Sequence, residues 1–267
     1  MINRLKSYIS NMLDKEFQQL DVLANQARYT PGHFKLYNKT IISFPDSNSF
    51  VFTYRELFKK EIYKFECKTD RPLIIDCGAN IGLSILYFKK LFPYSNIIAF
   101  EPEIKIHSYL QTNIAAFALK DVEIHNKALW KEDGVINFSN EGADASRINA
   151  LSSDTGFINS YQVDCVRLSS YLNRKVDFLK LDIEGAEVEV IKEIEPCIGN
   201  VDNIFIEYHS FDNRKQELDV LLSILTRNGF HYYIDSPVMG ANSPFIKKES
   251  WLAFDCFLNI YAKKTVE

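Results

Sequence analysis

Acidic side chains, glycines and a histidine recur where apolar runs of the chain end. In chain order these residues are Asp76, Gly78, Gly82, Glu101, Asn126, Asp182, Glu184, Glu207 and His209. Carboxylates gathered in one place need a cation, hydroxyls or hydrogen-bond donors to compensate them. A single Asp at the end of a strand is most simply a helix N-cap, but the full set favours one functional site.

The first of these positions have the pattern of a cofactor site. Gly78 and Gly82 permit a tight turn, in a GxxxG spacing that differs from the GxGxxG of dinucleotide-binding folds. Asp76 suits an amino-acid ammonium and repels a pyrophosphate, whereas Glu101 is placed to accept both hydroxyls of a ribose. An acidic residue, a glycine loop and then an acidic residue at the next strand fit S-adenosylmethionine better than NAD. An NAD(P)-dependent oxidoreductase is the alternative. We expect substitution of either glycine to cost cofactor binding more than folding.

The later positions suggest proton transfer. Asp182 and Glu184 are two residues apart, as are Glu207 and His209, so each pair would share a face of an extended backbone. Methyl transfer from an activated sulfonium to an alcohol requires alignment of the oxygen and removal of its proton. His209 is the predicted base because an imidazole titrates near neutrality. Two alternatives stay open: a structural hydrogen bond to a carboxylate, and a divalent metal held by these four residues, which we do not favour.

The elements that would bring these residues together begin at residue 71, where short apolar runs alternate with helical patterns. The predicted strands are 72–77, 96–101, 122–126, 175–182 and 202–207, and helical faces lie between them and over 218–225. Such alternation predicts an α/β fold with a doubly wound, mostly parallel sheet and helices on both faces. Ligands of such sheets bind at the carboxyl ends of the strands, where the residues above lie.

Both ends of the chain depart from this alternation. Two further strands are predicted at 230–234 and 251–261, and the loop between them has no helical pattern, so they are expected to be antiparallel neighbours. Residues 1–65 are interpreted as a cap with an amphipathic helix over about 2–26, a β-hairpin made by 40–44 and 49–54, and a short helix to about residue 65. The α/β domain would then be residues 66–267. The stretch 130–160 is expected to be irregular and to form part of a substrate wall.

Composition narrows the possible partners and location. The 267 residues have a net charge of −4, which argues against a nucleic-acid partner. The five cysteines are scattered and form no CxxC pair, which fits a reducing cytoplasm. Nowhere do 18 apolar residues run together, and the first residues lack the pattern of a signal peptide, so no membrane insertion is expected. The N-terminal helix could mediate a homodimer.

Four stretches resemble, in the same order, the motifs of FkbM-type methyltransferases. They are residues 73–84 (LIIDCGANIGLS), 100–103 (FEPE), 177–187 (DFLKLDIEGAE) and 206–209 (IEYH), and the resemblance spans roughly residues 50–262. It implies a class I, Rossmann-like, S-adenosylmethionine-dependent methyltransferase with a seven-stranded sheet whose last strand is antiparallel. The family mostly methylates oxygen, which implies a small hydroxylated molecule or a glycan as the substrate. A relative that binds the cofactor without turnover is a further alternative.

The resemblance also implies roles for individual residues. The methionine portion of the cofactor would lie against the glycine loop, with Asp76 ordering that loop or meeting the ammonium, and Glu101 would hold the ribose. Asn126 and Ala128 would lie near the adenine, although Asn126 could equally be a turn residue. The implied cofactor-binding set is Asp76, Gly78, Ala79, Asn80, Gly82, Glu101, Asn126, Ala128 and Asp182, and the implied catalytic set is His209, Asp182, Glu184 and Glu207.

Overall fold

The computed structural model describes residues 16, 18–36, 40–140, 146–148, 160–211, 215–237, 245 and 254–265. Its strands are β1 (Gly32–Lys35), β2 (Ile41–Phe44), β3 (Leu73–Cys77), β4 (Asn96–Phe100), β5 (Val122–His125), β6 (Ala128–Leu129), β7 (Gly134–Asn140), β8 (Ser146–Ile148), β9 (Ser160–Val166), β10 (Val176–Leu181), β11 (Val201–Phe211), β12 (Phe230–Asp235) and β13 (Phe254–Lys264). Its α-helices are α1 (residues 18–24), α2 (Ser47–Phe58), α3 (Leu83–Leu91), α4 (Ile104–Ala116), α5 (Glu187–Ile194) and α6 (Leu218–Arg227).

Seven strands form a central sheet in the order β12-β13-β11-β10-β3-β4-β5. The five strands from β11 to β5 are parallel, and β13 lies antiparallel between β11 and β12. Apolar residues of α5 and α6 pack on one face of this sheet, and those of α2, α3 and α4 pack on the other. The predicted fold class is therefore confirmed, including the antiparallel strand that the missing crossover helix required.

The prediction of a β-hairpin is wrong in its second strand. Residues 49–54 belong to α2, and β2 pairs instead with β1 in an antiparallel ladder. Asp46 caps α2 because its carboxylate accepts hydrogen bonds from the Asn48 amide and the Ser49 hydroxyl. Most buried residues of α2 recur at helical rather than alternating spacing; the buried set is Ser47, Phe50, Val51, Tyr54, Glu56 and Leu57. The short helix predicted over residues 55–65 is confirmed only over 55–58, which belong to α2, because the described residues 59–65 are not helical.

A second sheet occupies part of the stretch that was expected to be irregular. Its strands have the order β6-β9-β7-β8, with β6 parallel and β7 antiparallel to β9. Alternation of buried residues shows the strand character of β9, where Val163 and Cys165 are buried between exposed Gln162 and Asp164. The alternation of polar and apolar residues over 162–165 is visible in the sequence and indicates a strand. Residues 149–159, between β8 and β9, lie outside the described part of the chain.

The N-terminal segment packs directly against the sheet. Phe44 and Phe50 stack with ring centroids 4.2 Å apart, and Tyr63 meets Phe205 of β11 edge-on at 4.7 Å. Of the N-terminal helix predicted over 2–26, residues 18–24 are helical and residues 1–15 lie outside the described part. The division at residue 65 stays a prediction. Among the described helices, none is long and apolar enough to cross a membrane.

Candidate active site

The turn after β3 is built from backbone conformations that few residues adopt. Gly78 and Gly82 both have a φ of 90°, and Asn80 has a φ of 48°. A Cβ added to Gly78 would lie 1.8 Å from the backbone oxygen of Asp182. The turn and the end of β10 are therefore in close backbone contact, which only glycine allows. The expectation that substitution of Gly78 would cost binding more than folding is revised, because the substitution would also separate these two strand ends.

A buried lysine links the turn to the end of β10. The Lys180 ammonium lies 3.1 Å from the Asp182 carboxylate and 3.3 Å from that of Asp76, and it donates to the Gly78 carbonyl at 2.6 Å. Burial disfavours its charge, but the carboxylates of Asp182 and Asp76 outweigh burial and hold the Lys180 pKa well above its usual range. Lys180 was not among the predicted site residues. Its parallel register with Asp76 is what places the two side chains together.

Asp76 stands behind the turn and lines neither of the two cavities that border the turn. Its side chain is fully buried, and it accepts a hydrogen bond of 2.5 Å from the Ser84 hydroxyl at the start of α3. Of the two roles implied for Asp76, this position favours ordering of the loop over direct contact with an ammonium.

Glu101 follows β4 and offers two oxygens at the edge of the turn. One oxygen accepts a hydrogen bond from the Asn80 amide at 3.0 Å, and the other accepts one from the Glu103 amide at 2.9 Å. Burial raises the pKa of the Glu101 carboxyl to about 7, although the two amides act in the opposite direction. A carboxylate held in this way keeps further acceptor capacity for hydroxyl groups.

The first cavity opens between the turn and the ends of β4 and β10, with a volume of about 660 Å³. Its polar side is formed by Gly78, Asn80, Glu101, Glu103, Lys127, Asp182 and Glu184. Its apolar side consists of Phe100, Pro102, Ile106, Ala128, Leu129, Phe138 and Ile183. An apolar wall with fixed polar groups is typical of a small-molecule site.

His209, near the end of β11, lies among carboxylates. Its Nδ1 is 3.2 Å from Glu187, and its Nε2 is 3.3 Å from Glu207 and 3.8 Å from Glu184. The imidazole stacks on the Phe257 ring of β13 with centroids 5.4 Å apart. Burial disfavours the charged ring, but Glu184 and Glu187 outweigh burial and raise the His209 pKa well above its usual range. The carboxylates therefore favour the charged form of the imidazole, whereas burial disfavours it.

The carboxylates around His209 have different tasks. Glu187 is almost fully buried and accepts hydrogen bonds from the amides of Ile183 and Gly185, so it fixes the loop after β10. Burial raises the pKa of Glu184 well above its usual range, with His209 acting in the opposite direction. Burial and the Asp182 charge raise the pKa of Glu207 to about 7. Glu187 was not among the predicted site residues, although it is the last residue of the motif DFLKLDIEGAE at 177–187.

Asp182, Glu207 and His209 could also act together as metal ligands. Each offers an atom within 4.8 Å of the others, and carboxylate with imidazole suits several divalent ions. The same atoms are already used in ion pairs, because Lys180 holds Asp182 and Glu207 contacts the imidazole. The arrangement fits an ion-pair network without further ligands.

The structure brings most of the predicted site residues to the first cavity or the His209 cluster. Asn126 differs, because its side-chain amide donates to the carbonyls of Glu101 and Pro102 at 2.9 Å each and so braces that loop. It is absent from the residues that line the cavity, whereas Ala128 contributes to the apolar side. Gly82 lies behind the turn, where an added Cβ would come 2.8 Å from Leu110 of α4.

The order of the sheet, with β13 antiparallel between β11 and β12, is that of the class I methyltransferase fold. The chain matches the family described as Methyltransferase FkbM domain over residues 76–232, more than half of its length, and it belongs to that family. The family resemblance proposed from the four motifs is thus confirmed.

Individual relatives are distant. Methyltransferase 1 of Beauveria bassiana (strain ARSEF 2860) is 26% identical over 209 residues, which cover 70% of this chain and 83% of that protein. Methyltransferase sdnD of Sordaria araneosa is 29% identical over 205 residues, covering 64% of this chain and 79% of that protein. The crystal structure of methyltransferase FkbM from Methylobacillus flagellatus KT is 17% identical, covers 76% of this chain and 46% of that chain, and has a TM-score of 0.49.

Proposed function

We propose that the protein is an S-adenosylmethionine-dependent O-methyltransferase that acts on a small hydroxylated molecule or a glycan. The observation that carries this proposal is the first cavity, which joins a glycine turn, the twice-anchored Glu101 and an apolar wall. When bound, the cofactor supplies a methyl group that is already activated by a sulfonium. The chain therefore has to hold the nucleoside, align the acceptor oxygen and accept its proton.

The nucleoside is assigned to three groups of the first cavity. The Glu101 carboxylate accepts the ribose hydroxyls, as the acidic residue after the second strand of a nucleotide-binding fold does. Ala128 and Leu129 support the base on the apolar side. Asn126 acts indirectly. Its side-chain amide donates to the carbonyls of Glu101 and Pro102 and so fixes the position of the loop that carries the ribose site.

Proton removal is assigned to the cluster around His209. The surrounding carboxylates favour the charged form of His209, which cannot accept a proton, so we assign the base predicted from the sequence to act through its partner. The Glu207 carboxylate is the more exposed group of that pair, with a side-chain exposure of 19% against 4% for His209. We assign Glu207 as the group that receives the acceptor proton and His209 as the group that orients it by charge and hydrogen bonding.

Titration calorimetry tests the cofactor assignment. We expect S-adenosylhomocysteine to bind with micromolar affinity and NAD to give no heat of binding. Binding of NAD without binding of S-adenosylhomocysteine would instead favour an NAD(P)-dependent oxidoreductase. Transfer of a labelled methyl group from S-adenosylmethionine to fractionated small metabolites then tests turnover and gives the acceptor. A product whose methyl group is carried by nitrogen would contradict the assignment to oxygen.

Substitutions separate the roles within the cluster. Glu207→Gln removes the proton acceptor and keeps the shape, so we expect turnover to fall by about a hundredfold or more with little change in cofactor affinity. Full turnover by that variant would contradict the assignment, and full turnover by both Glu207→Gln and His209→Gln would favour a relative without a catalytic base. Activity abolished by EDTA and restored by a divalent metal would favour the metal alternative.

Location and partners are part of the same proposal. The cysteines Cys67, Cys77, Cys165 and Cys197 are free, which supports a reducing cytoplasm. Net charge supports the absence of a nucleic-acid partner. A homodimer through the N-terminal helix stays a prediction, and sedimentation of the purified protein tests it.

A further inference from the structure

Polar side chains cross the β11-β13-β12 part of the sheet at the level of Glu207. The antiparallel registers pair Asn259 of β13 with Glu207 of β11 on one side and with Asp235 of β12 on the other. Side chains at directly paired positions lie on the same face of a sheet. These three residues, called the polar row below, therefore share one face, and the proposed proton acceptor stands at one end of the row.

An aromatic row crosses the same three strands beside the polar row. Phe205, Tyr261 and Tyr233 are paired by the same registers. Each lies two residues along its strand from a member of the polar row, so the two rows share a face. The ring centroids are 5.3 Å apart for Phe205 and Tyr261 and 6.0 Å apart for Tyr261 and Tyr233. Phe205 is buried and Tyr233 is 65% exposed, so this aromatic surface reaches solvent at β12.

Asn259, in the middle of the polar row, is buried with an unsatisfied acceptor. It is 2% exposed, and its side-chain oxygen Oδ1 has no hydrogen-bond partner within the described part of the chain. A buried acceptor without a donor is unfavourable, and a hydroxyl group of a bound molecule would satisfy it. The neighbours on both sides are more accessible, because Asp235 is exposed and the Glu207 side chain is 19% exposed.

The surface around the polar row is acidic. Burial raises the pKa of the Tyr261 phenol to about 12. Three nearby carboxylates act in the same direction, namely Asp235, Glu56 and Glu207. Two of them have basic partners, Lys60 at 2.6 Å from Glu56 and His209 at 3.3 Å from Glu207. Asp235 forms no ion pair among the described residues, so its charge would repel an anionic group that enters the row.

We propose that the polar row binds the methyl acceptor, and that Asn259 accepts a hydrogen bond from the hydroxyl next to the one that is methylated. The inference rests on the proposed function, because the methylated hydroxyl passes its proton to Glu207 as its oxygen takes the methyl group. Paired positions of neighbouring strands lie about 5 Å apart, a separation that two adjacent hydroxyls of one molecule can bridge. Asp235 then selects uncharged polyhydroxylated acceptors against those with a carboxylate or phosphate, and Tyr233 offers an aromatic surface to the rest of the molecule.

Two probe acceptors test the selection by charge. Methyl glucoside is uncharged, and methyl glucuronide has the same ring with a carboxylate. With labelled S-adenosylmethionine, we expect kcat/KM for the glucoside to exceed that for the glucuronide by about tenfold or more. Asp235→Asn should reduce this ratio by about threefold or more. Asp219→Asn is the matched control and should leave the ratio unchanged, because Asp219 is exposed on α6, whose apolar residues pack on the opposite face of the sheet.

A second variant tests the hydrogen bond to the neighbouring hydroxyl. Asn259→Leu removes the amide and keeps a similar size. We expect its KM for methyl glucoside to rise by about tenfold, the effect of one lost hydrogen bond. Its affinity for S-adenosylhomocysteine in calorimetry should stay within about threefold of the wild-type value. Because Asp235 is exposed, the Asp235→Asn measurement tests the site even where Asn259→Leu fails to fold.

Several outcomes would overturn the inference. An unchanged KM in folded Asn259→Leu would remove the role of Asn259. Equal rates on the two probes, or a ratio that Asp235→Asn leaves unchanged, would refute the selection by charge. A wild-type protein that binds S-adenosylhomocysteine and methylates neither probe would refute the class of acceptor. If the wild-type protein does not bind S-adenosylhomocysteine, it is the proposed cofactor that is wrong.

Discussion

Replacement of Lys180 by methionine tests whether the buried ion cluster holds the turn and β10 together. The lysine is 3% exposed, and its ammonium contacts Asp76, Asp182 and the Gly78 carbonyl. Methionine keeps the length of the side chain and removes the charge. The variant leaves the fully buried Asp76 carboxylate without a cation, whereas Asp182 keeps partial contact with water.

The magnitude follows from this difference in burial. Removal of one partner of a buried pair costs about 3–5 kcal/mol, and we expect the lower end because only Asp76 is left fully buried. For a chain of this size that cost lowers the melting temperature by about 6–12 °C. The free energy of unfolding would be measured by urea titration, with the melting temperature from circular dichroism.

Two further variants make the measurement specific. Lys175→Met removes a lysine whose side chain is 64% exposed and which pairs with Asp202 on the surface, so it should change the free energy of unfolding by less than about 1 kcal/mol. Asp76→Asn in the Lys180→Met background removes the unpaired charge and leaves an oxygen that can accept from Ser84. We expect it to recover about 1–2 kcal/mol.

Wild-type stability in Lys180→Met would refute the reasoning, because a buried carboxylate would then have lost its cation without cost. A double variant that is less stable than Lys180→Met would show that the loss arises from packing around the methionine rather than from the unpaired Asp76.

Two more predictions concern the first cavity and its turn. Because burial raises the Glu101 pKa to about 7 and the ionised form accepts ribose hydroxyls, affinity for S-adenosylhomocysteine should fall as the pH drops below about 7, by at most about tenfold per unit. Glu101→Gln should bind more weakly and lose this pH dependence in calorimetry, and a variant with the wild-type profile would contradict the ribose assignment. Gly78→Ala places a Cβ 1.8 Å from the Asp182 carbonyl and should destabilise the fold by about 3 kcal/mol or more, measured by urea titration. Gly199→Ala, where the nearest atom is 3.5 Å away, is the control, and equal losses in the two variants would argue against the close contact.

The sheet was predictable because each buried strand has a continuous apolar run. β3, β4, β10 and β11 were located to within a few residues by runs such as 73–75 and 97–100. Parallel order and the position of β13 followed from the presence or absence of a connecting helix. These features depend on local pattern and on chain connectivity, both of which are visible in the sequence.

Residues 49–54 show where local pattern misleads. The run SFVFTY has high β propensity, yet it forms the middle of α2. Tertiary burial decides the outcome, because Phe50 and Tyr54 both face the aromatic cluster one helical turn apart. The sequence shows that Asp46 can cap a helix. It does not show whether this cap outweighs the high β propensity of the β-branched and aromatic residues that follow.

The site was predictable in its location and less so in its internal pairing. Residues at strand ends converge on one edge by topology alone, so Glu101, Asp182 and His209 could be grouped. Lys180 was missed because it lies inside an apolar strand, and its partner Asp76 is more than a hundred residues away. Only the register between β10 and β3 shows that the two face each other. The raised pKa of His209 also depends on Glu187, which comes close through the loop after β10.

The position of β13 determines when the sheet can form during synthesis. This strand follows β12 in the chain but lies between β12 and β11, so β12 has no neighbour in the sheet until β13 has left the ribosome. The same strand supplies Phe257 opposite His209 and Asn259 opposite Glu207. The turn after β3 and Glu101 thus precede β13 in the chain by more than a hundred residues, whereas the sheet edge beside Glu207 and His209 is covered only once β13 has paired with β11.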